Sequence, residues 1–502
     1  MIQTAPKRVI NGWAMYDWAN SVYNLVITTT FFPIYFTAAT HHFFKSDNIP
    51  FLGHTFINSS LYSYSLAAAY LIISLFYPIL TSIADTRGNK KNFMRFFCYM
   101  GSLGCSLLYF FDGSNLGWGI LCFILASMGY IGSIVFYNAY LPEIAAPEDQ
   151  DRVSAKGYAY GYIGSVILQI IGFALVLLIH KDPFLGPRLT FLLVGVWWAG
   201  FAQITFSVLP KVQRTERVKT NVVKAGFAEI RKVYGEVKKL AVLKRYLRGF
   251  FFYSMGVQTV MMAATLFGSK LLGLEDTQLI VTVVLIQMVA IVGAVWMSRL
   301  SARYGNIRVL MGVVGFWILI CVAAYTTAGM AEHLKPFHDR ISELKQQKED
   351  LAARKTAAHV NIDDPNANQA TASKFDAEDA MIEGELSRWR HDLAPHQEPI
   401  EYSFYALALA VGLVMGGIQS LSRSTYSKLM PETKDTASYF SYYDLTEKIA
   451  IVIGMFSFGF IEEMTGSMKN SVIFLIIFFV IGLVWLYSAM MKQNQLRSVA
   501  PS

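Results

Sequence analysis

The chain has 502 residues, 54% of them hydrophobic, 14% aromatic and only 16% charged, with a mean hydropathy of +0.39 and a formal net charge of +8. Soluble chains carry about 25% charged residues, so this composition excludes a water-soluble enzyme of this length, a disordered chain and a disulfide scaffold. It points to an all-α membrane protein that crosses the bilayer many times.

A bilayer core needs about 20 mostly apolar residues per helical span, and twelve such segments can be marked along the chain. In the first half they cover residues 11–37, 59–83, 92–111, 115–141, 158–180 and 188–209. In the second half they cover 247–269, 277–298, 309–330, 402–427, 439–462 and 470–491. The first segment contains Asp17, Asn20 and Asn24 and is too long for a signal core, so it is expected to stay attached as span one. The four cysteines, Cys98, Cys105, Cys122 and Cys321, lie in apolar runs without the paired spacing of a zinc site or a redox dithiol. They read as packing residues, and neither a metal nor a cofactor is expected.

An even number of spans puts both ends on one side. Short loops on that side hold Lys7, Arg87, Lys90, Lys91, Arg152, Arg303 and Arg308, whereas the opposite short loops hold only Lys45, Lys181, Arg188, Lys270 and Lys469. The positive-inside rule then places both termini in the cytoplasm, and the cytoplasmic (inner) membrane of the cell is the expected location.

The sequence divides into residues 1–210 and 247–502, six spans each, with a linker at 211–246 between them. Residues 211–248 hold twelve Lys and Arg against Glu216, Glu229 and Glu236, so the basic charge of the whole chain reports one linker and not a nucleic-acid surface. Within it Val223, Phe227, Ile230, Tyr234, Val237 and Leu240 recur at helical spacing. That pattern suits a helix lying on an anionic membrane surface, or a solvated tether.

Residues 331–401 are polar, with fifteen acidic against nine basic residues, and interrupt the second half between spans nine and ten. Leu334, Phe337, Ile341, Leu344 and Leu351 follow a heptad pattern broken only by Lys348, and Phe375, Ile382 and Trp389 repeat every seven after an Asn-, Asp- and Pro-rich break at 363–368. An antiparallel helical hairpin on the outer face is expected, with Ser373 as N-cap of its second arm.

Internal repetition supports two matching halves. Gly88 in Ala84-Asp85-Thr86-Arg87-Gly88-Asn89-Lys90 aligns with Gly305 in Ser301-Ala302-Arg303-Tyr304-Gly305-Asn306 at an offset of 217, and Leu141-Pro142-Glu143 aligns with Met430-Pro431-Glu432 at an offset of 289. The difference of 72 matches the hairpin insertion, 71 residues at 331–401, to within one residue.

Twelve spans, a long loop after the sixth and a glycine-basic turn after the second resemble the major facilitator superfamily. In that turn Asp85, Gly88 and Lys90 match the superfamily pattern and are expected to act as a gating turn, while Thr81 and Thr86 depart from it. Three further strings, Gly12-Trp13-Ala14-Met15-Tyr16-Asp17-Trp18-Ala19-Asn20-Ser21, Tyr137-Asn138-Ala139-Tyr140-Leu141-Pro142 and Gly417-Ile418-Gln419-Ser420-Leu421-Ser422-Arg423-Ser424, are similar to the vacuole effluxer branch, which includes fungal vacuolar amino-acid exporters. The resemblance implies two pseudo-symmetric six-helix bundles, a secondary transporter working by rocker-switch alternating access, and amino acids as the leading substrate class.

A charge at the centre of a membrane helix costs roughly 2.5–3.5 kcal/mol, so ionisable residues within spans mark cavities or partners. In span one Asp17, Asn20, Ser21, Asn24 and Thr28 fall on one helical face. Span four offers Tyr130, Tyr137 and Asn138, span seven Ser254, Gln258 and Thr265, and span ten Gln419, Arg423 and Tyr426. The resemblance implies that these four spans line the central pathway. Span eleven adds Asp444, Glu447 and Lys448, with Asp444 and Lys448 at i, i+4. Asp17, Arg423, Asp444, Glu447 and Lys448 are read as one charge network, in which Arg423 pairs with one of the three carboxylates. The nine histidines all fall in outer loops or outer helix ends, so no imidazole sits at membrane depth as a proton relay.

The function expected is movement of a small polar metabolite by a monomeric carrier, with H+ or Na+ as coupling ion and the lipid bilayer as its surroundings. A membrane enzyme lacks any convergent catalytic set in this sequence. The alternative is a substrate sensor that signals through the linker or the outer hairpin.

Overall fold

The computed structural model describes residues 3–179, 182–210, 222–268, 272, 274, 276–360 and 365–499. Hydrocarbon offers the backbone no hydrogen-bond partner, so a chain this apolar must satisfy its amides within helices, and each of the twelve predicted spans falls on one. Among the described residues, ten helices are long and apolar enough to cross a membrane. Spans seven and eleven, Ala241–Leu266 and Thr436–Thr465, are equally long but are not among those ten, and span eleven carries Asp444, Glu447 and Lys448 in its interior.

Span one runs from Lys7 to Phe44 with a π-helical stretch at Tyr23–Phe31 between two α-helical pieces. It ends at Lys45 in the left-handed conformation, and a short antiparallel ribbon follows, Asn48–Phe51 paired with His54–Ile57. Leu52 and Gly53 turn that ribbon, both with positive φ, as tight two-residue hairpin turns require. Span two, Asn58–Arg87, stops at Gly88, whose φ of 64° suits a residue without Cβ. Span five, Gln150–Leu178, starts eight residues before the predicted boundary, because Asp151 and Ser154 in that extra stretch are paired with the other half.

The two halves meet where span five packs on span eight and span two on span eleven. One face of the molecule carries the described ends of the chain and the linker helix; we call it the linker face, and the opposite one the hairpin face. The linker helix, Val222–Lys239, is docked on protein and not a free tether: Val233 and Val237 are buried, Lys232 lies 3.0 Å from Asp435, and the Tyr439 hydroxyl donates to Glu236. Lys232 sits above its ordinary pKa, because its bonds to Asp435 and Glu229 outweigh the desolvation that acts against its charge. Residues 211–221 lie outside the described residues, as do the side chains of Val223, Phe227 and Ile230.

The insertion is a helical hairpin, and it differs from expectation at two points. Its first arm is Lys335–Val360, and Leu344, Leu351, Ile382 and Leu386 form a core of their own. Lys348, the break in the heptad, is accommodated by pairing with Glu383 on the facing arm. Ser373 is not an N-cap, since it lies inside a 65-residue helix, Pro365–Leu429, that contains both the returning arm and span ten. No break separates the two: Pro395 and Pro399 are both carried within the helix, four residues apart and therefore on one face. Residues 361–364, within the predicted break, lie outside the described residues.

Candidate functional site

A cavity of about 190 Å³ lies between the halves. Spans one, four, seven and ten border it, as does span eleven, with Tyr70 from span two and Tyr158 from span five completing the wall. From span one come Asp17, Ser21, Asn24, Thr28 and Thr29. Asn20 is fully buried in packing and does not border the cavity, a correction to the expected stripe. At 100° per residue it sits about 60° to one side of Asp17, while Ser21, Asn24 and Thr28 stay within about 40° of it. Thr29 joins Thr28 because both lie in the π-helical stretch, where the wider turn shifts the register of the face.

At the end of the cavity nearer the linker face, Arg423 of span ten enters a socket built wholly by the first half. Its Nε donates to Ser154 Oγ (2.9 Å), Nη2 to the Ser154 carbonyl (2.8 Å) and Nη1 to Asn138 Oδ1 (3.1 Å). Both Nη atoms lie 3.4 Å from Asp17 Oδ2. The guanidinium carbon stands 4.3 Å from the ring centre of Tyr158, 5.0 Å from Trp13 and 5.4 Å from Tyr137, within reach of cation–π attraction.

Asp17 is fixed in turn by the Tyr137 hydroxyl, which donates to Oδ2 at 2.7 Å. Tyr137, expected on the cavity wall, is fully buried behind Asp17 and does not border the cavity; it is fixed by Trp13, stacked at 4.4 Å and bonded through Nε1 to the Tyr137 carbonyl at 3.0 Å. Asp17 and Arg423 are both buried, at 4% and 2% exposure. Such a pair is tolerated away from water only because nearly all its donors and acceptors are met.

The expected five-residue network is two separate clusters. Among the described residues, no ion pair or hydrogen bond joins Asp17 or Arg423 to the charges of span eleven. There, Lys448 Nζ lies 3.6 Å from Asp444 Oδ1 and 3.4 Å from Glu447 Oε2, and Gln258 Nε2 donates to Glu447 Oε1 at 3.1 Å. Gln419 borders the cavity and receives the Tyr162 hydroxyl at 3.3 Å. Tyr426 points away from the cavity and donates to the Tyr439 carbonyl. The side chain of Thr265 lies outside the described residues.

The glycine-basic turn clasps span eleven. Asp85 accepts from the backbone N–H of Ala437 (3.2 Å) and Ser438 (2.8 Å) and from Ser438 Oγ (2.9 Å), in the first turn of that helix. A carboxylate there satisfies orphan amides and complements the helix dipole. Lys90 bonds Glu143 and the Thr436 hydroxyl, and lies 3.5 Å from Asp85. The second half answers with the charges exchanged. Its turn has Ala302 where the first has Asp85, and the acid comes from span five: Asp151 accepts from Ser301 Oγ (2.7 Å) and Asn306 Nδ2 (2.6 Å) and pairs with Lys428 (2.7 Å).

These bonds hold the linker face shut. Asp85→Ala leaves three donors without their acceptor, at about 1–3 kcal/mol per unmet buried group. A cysteine placed at the buried Ser420, which accepts from Ser154 Oγ through its carbonyl at 2.8 Å, should then react with an aqueous maleimide roughly 5–30 times faster. An unchanged rate would remove Asp85 from the latch.

Ser154, Tyr158, Tyr70 and Asp151 were missed from sequence. A stripe at Ser154, Gly157, Tyr158 and Gly161 could have flagged the first two. Space for the ion pair depends on it: a Cβ on Gly157 would lie 2.4 Å from Asp17 Oδ2, and one on Gly161 2.4 Å from Ser21 Oγ.

Comparison with known proteins adds a family. Residues 5–342 and 392–497 match the family model described as "Vacuole effluxer Atg22 like", and the gap falls in the hairpin. The chain is 27% identical over 483 residues to YxiO, an uncharacterized MFS-type transporter of Bacillus subtilis (strain 168), covering 94% of this chain and 93% of that one. It is 21% identical over 580 residues to Autophagy-related protein 22-1 of Phaeosphaeria nodorum, covering 98% and 92%. Its fold is similar to a bacterial homologue of the iron transporter ferroportin in an outward-facing state (TM-score 0.58, 12% identity, 96% and 98% covered). It is likewise similar to the Escherichia coli fucose:proton symporter (TM-score 0.59, 10% identity, 96% and 97% covered).

Proposed function

The chain belongs to the vacuole effluxer family of MFS-type transporters, and from that premise we propose that it is a secondary active carrier of a small polar metabolite, working by alternating access. Residues 1–210 and 247–502 form the rocking halves, residues 211–246 join them, and 331–401 is an outer ornament. The observation that carries this reading is Arg423, a cation from one half seated in a socket whose partners all belong to the other. An ion pair that joins the halves at one end of a cavity is the kind of two-state contact alternating access needs, made when the linker face is closed and broken when it opens.

The size of the cavity favours a small substrate, since pockets for drug-sized ligands run to roughly 300–1,000 Å³ against about 190 Å³ here. Amino acids are the leading class and export the direction, both by way of the family. A monomer in the cytoplasmic membrane with both termini inside, coupled to H+ or Na+, completes the proposal.

Counterflow tests it. Purified protein in liposomes preloaded with an unlabelled panel of amino acids and small metabolites should accumulate the matching labelled compound transiently, at a rate well above empty liposomes. Binding without exchange would make the protein a sensor and contradict the proposal.

A further inference from the structure

The ionisable acids and bases that border the cavity are Asp17, Asp444 and Glu447 against Arg423 and Lys448, so among the described residues the wall carries one carboxylate more than it has cations. The cations are committed. Arg423 is enclosed by Asp17, Asn138, Ser154 and aromatic faces, and Lys448 is shared between two carboxylates. The surplus therefore lies on span eleven, where Asp444 is 97% buried; the Tyr77 hydroxyl beside it donates to the Ile131 carbonyl at 2.8 Å, and among the described residues no donor meets its Oδ2. Six rings face the same space, those of Tyr70, Tyr130, Tyr158, Phe250, Tyr253 and Tyr443. Aromatic faces attract organic cations, and a buried carboxylate oxygen without a donor is costly until one arrives.

We propose that the substrate is a net cation, with an amine that no carboxylate of its own balances, bound by the carboxylates of Asp444 and Glu447 against the tyrosine faces; among the described residues the wall has no uncommitted cation to receive an anionic group. This rests on the carrier reading above and names its substrate class.

The test uses the purified full chain in nanodiscs at about pH 8, where amines of this kind stay protonated and ordinary carboxyl groups are ionised, and a series of similar length: 1,6-diaminohexane, lysine, norleucine and adipate. Equilibrium binding is expected to run from the diamine and lysine, each at least about tenfold tighter than norleucine, to adipate, which does not bind; tenfold corresponds to about 1.4 kcal/mol. Glu447→Gln, which cancels the surplus charge, should weaken diamine binding at least about tenfold with the melting temperature held, and Asp444→Asn provides the same test should that variant fail to fold. Adipate, or the net-neutral norleucine, binding as tightly as the diamine and lysine overturns the proposal. So does amine binding that both variants leave unchanged, or a complete lack of amine binding. A carboxylate filled by a proton alone would give the amines no advantage, and that result also overturns it. Counterflow is scored separately: an amine that binds in this order but does not exchange refutes the carrier and leaves the amine site, whereas norleucine exchange without amine preference refutes the amine site alone.

Discussion

Arg423→Gln should reduce counterflow more than about 100-fold while leaving a protein that still inserts and elutes as a single species. Glutamine cannot reach Asp17, Asn138 and Ser154 at once, and it brings no charge. Asp17 is left as a buried carboxylate whose one remaining hydrogen bond comes from Tyr137. Breaking a buried pair by removing one partner costs about 3–5 kcal/mol, which is roughly two to three and a half orders of magnitude in an equilibrium. The cost falls on the state with the linker face closed, because in the open state Asp17 can take up water. Arg423→Lys should recover little, since an ammonium lacks the planar fork that bonds Ser154 and Asn138 together while lying across Tyr158. The double variant Asp17→Asn with Arg423→Gln removes both charges and should regain much of the lost stability without regaining transport. Counterflow within twofold of the wild type in Arg423→Gln would mean that the pair is static scaffolding.

Gly157→Val should be nearly as damaging, by a different route. Its Cβ alone would lie 2.4 Å from Asp17 Oδ2, 2.8 Å from the Tyr137 hydroxyl and 3.0 Å from Arg423 Nη2. Asp17, Tyr137 and Arg423 would have to move together, and two of them are anchored, Tyr137 by its stack on Trp13 and Arg423 by its bonds to Ser154. Overpacking of this kind costs about 1–3 kcal/mol in stability, and loss of the Asp17–Arg423 ion pair should add at least about a tenfold loss of exchange. Gly200→Ala is the control. A Cβ at Gly200 meets nothing within 4 Å, and Ala in a helix interior stabilises by about 0.5–1 kcal/mol relative to Gly. A Gly157→Val protein that transports like the Gly200→Ala protein would remove the close approach of spans one and five from the mechanism.

The parts of the architecture that were legible in sequence share one cause: hydrocarbon penalises polarity, so greasy runs and the few charges inside them stand out. Asp17, Arg423, Asp444, Glu447 and Lys448 drew attention for that reason. Residues that polarity does not distinguish were harder to find. Tyr158 and Tyr70 are ordinary for membrane helices, and Ser154 matters through a hydroxyl and a carbonyl that become significant only once Arg423 lies beside them. The π-helical stretch has no clear compositional mark, so the α-helical period left Thr29 off the cavity face, while Asn20 entered the stripe because a position three residues from Asp17 counts toward the same face, whose edge it lies beyond. Asp151 escaped because the repeated turn has Ala302 where the first has Asp85, and the fold supplies the acid from span five, outside the repeat. The continuity of the hairpin arm with span ten was hidden because the switch from polar to apolar residues near position 402 marks where the membrane-facing composition begins, not where the helix does.

The most direct test of the central claim, two halves rocking about this cavity, is a pair of spin-label distances. The four native cysteines are all buried, which suits labelling at introduced sites. One pair, at the exposed Arg87 and Arg303, spans the halves at the linker face. A second pair at the hairpin face reports the opposite side. On adding a transported substrate, the Arg87–Arg303 distance should lengthen in a fraction of molecules while the hairpin-face distance shortens in the same fraction, and Arg423→Gln should shift the balance toward the long linker-face distance without substrate. Two distances that stay fixed while substrate is bound and exchanged would contradict the account.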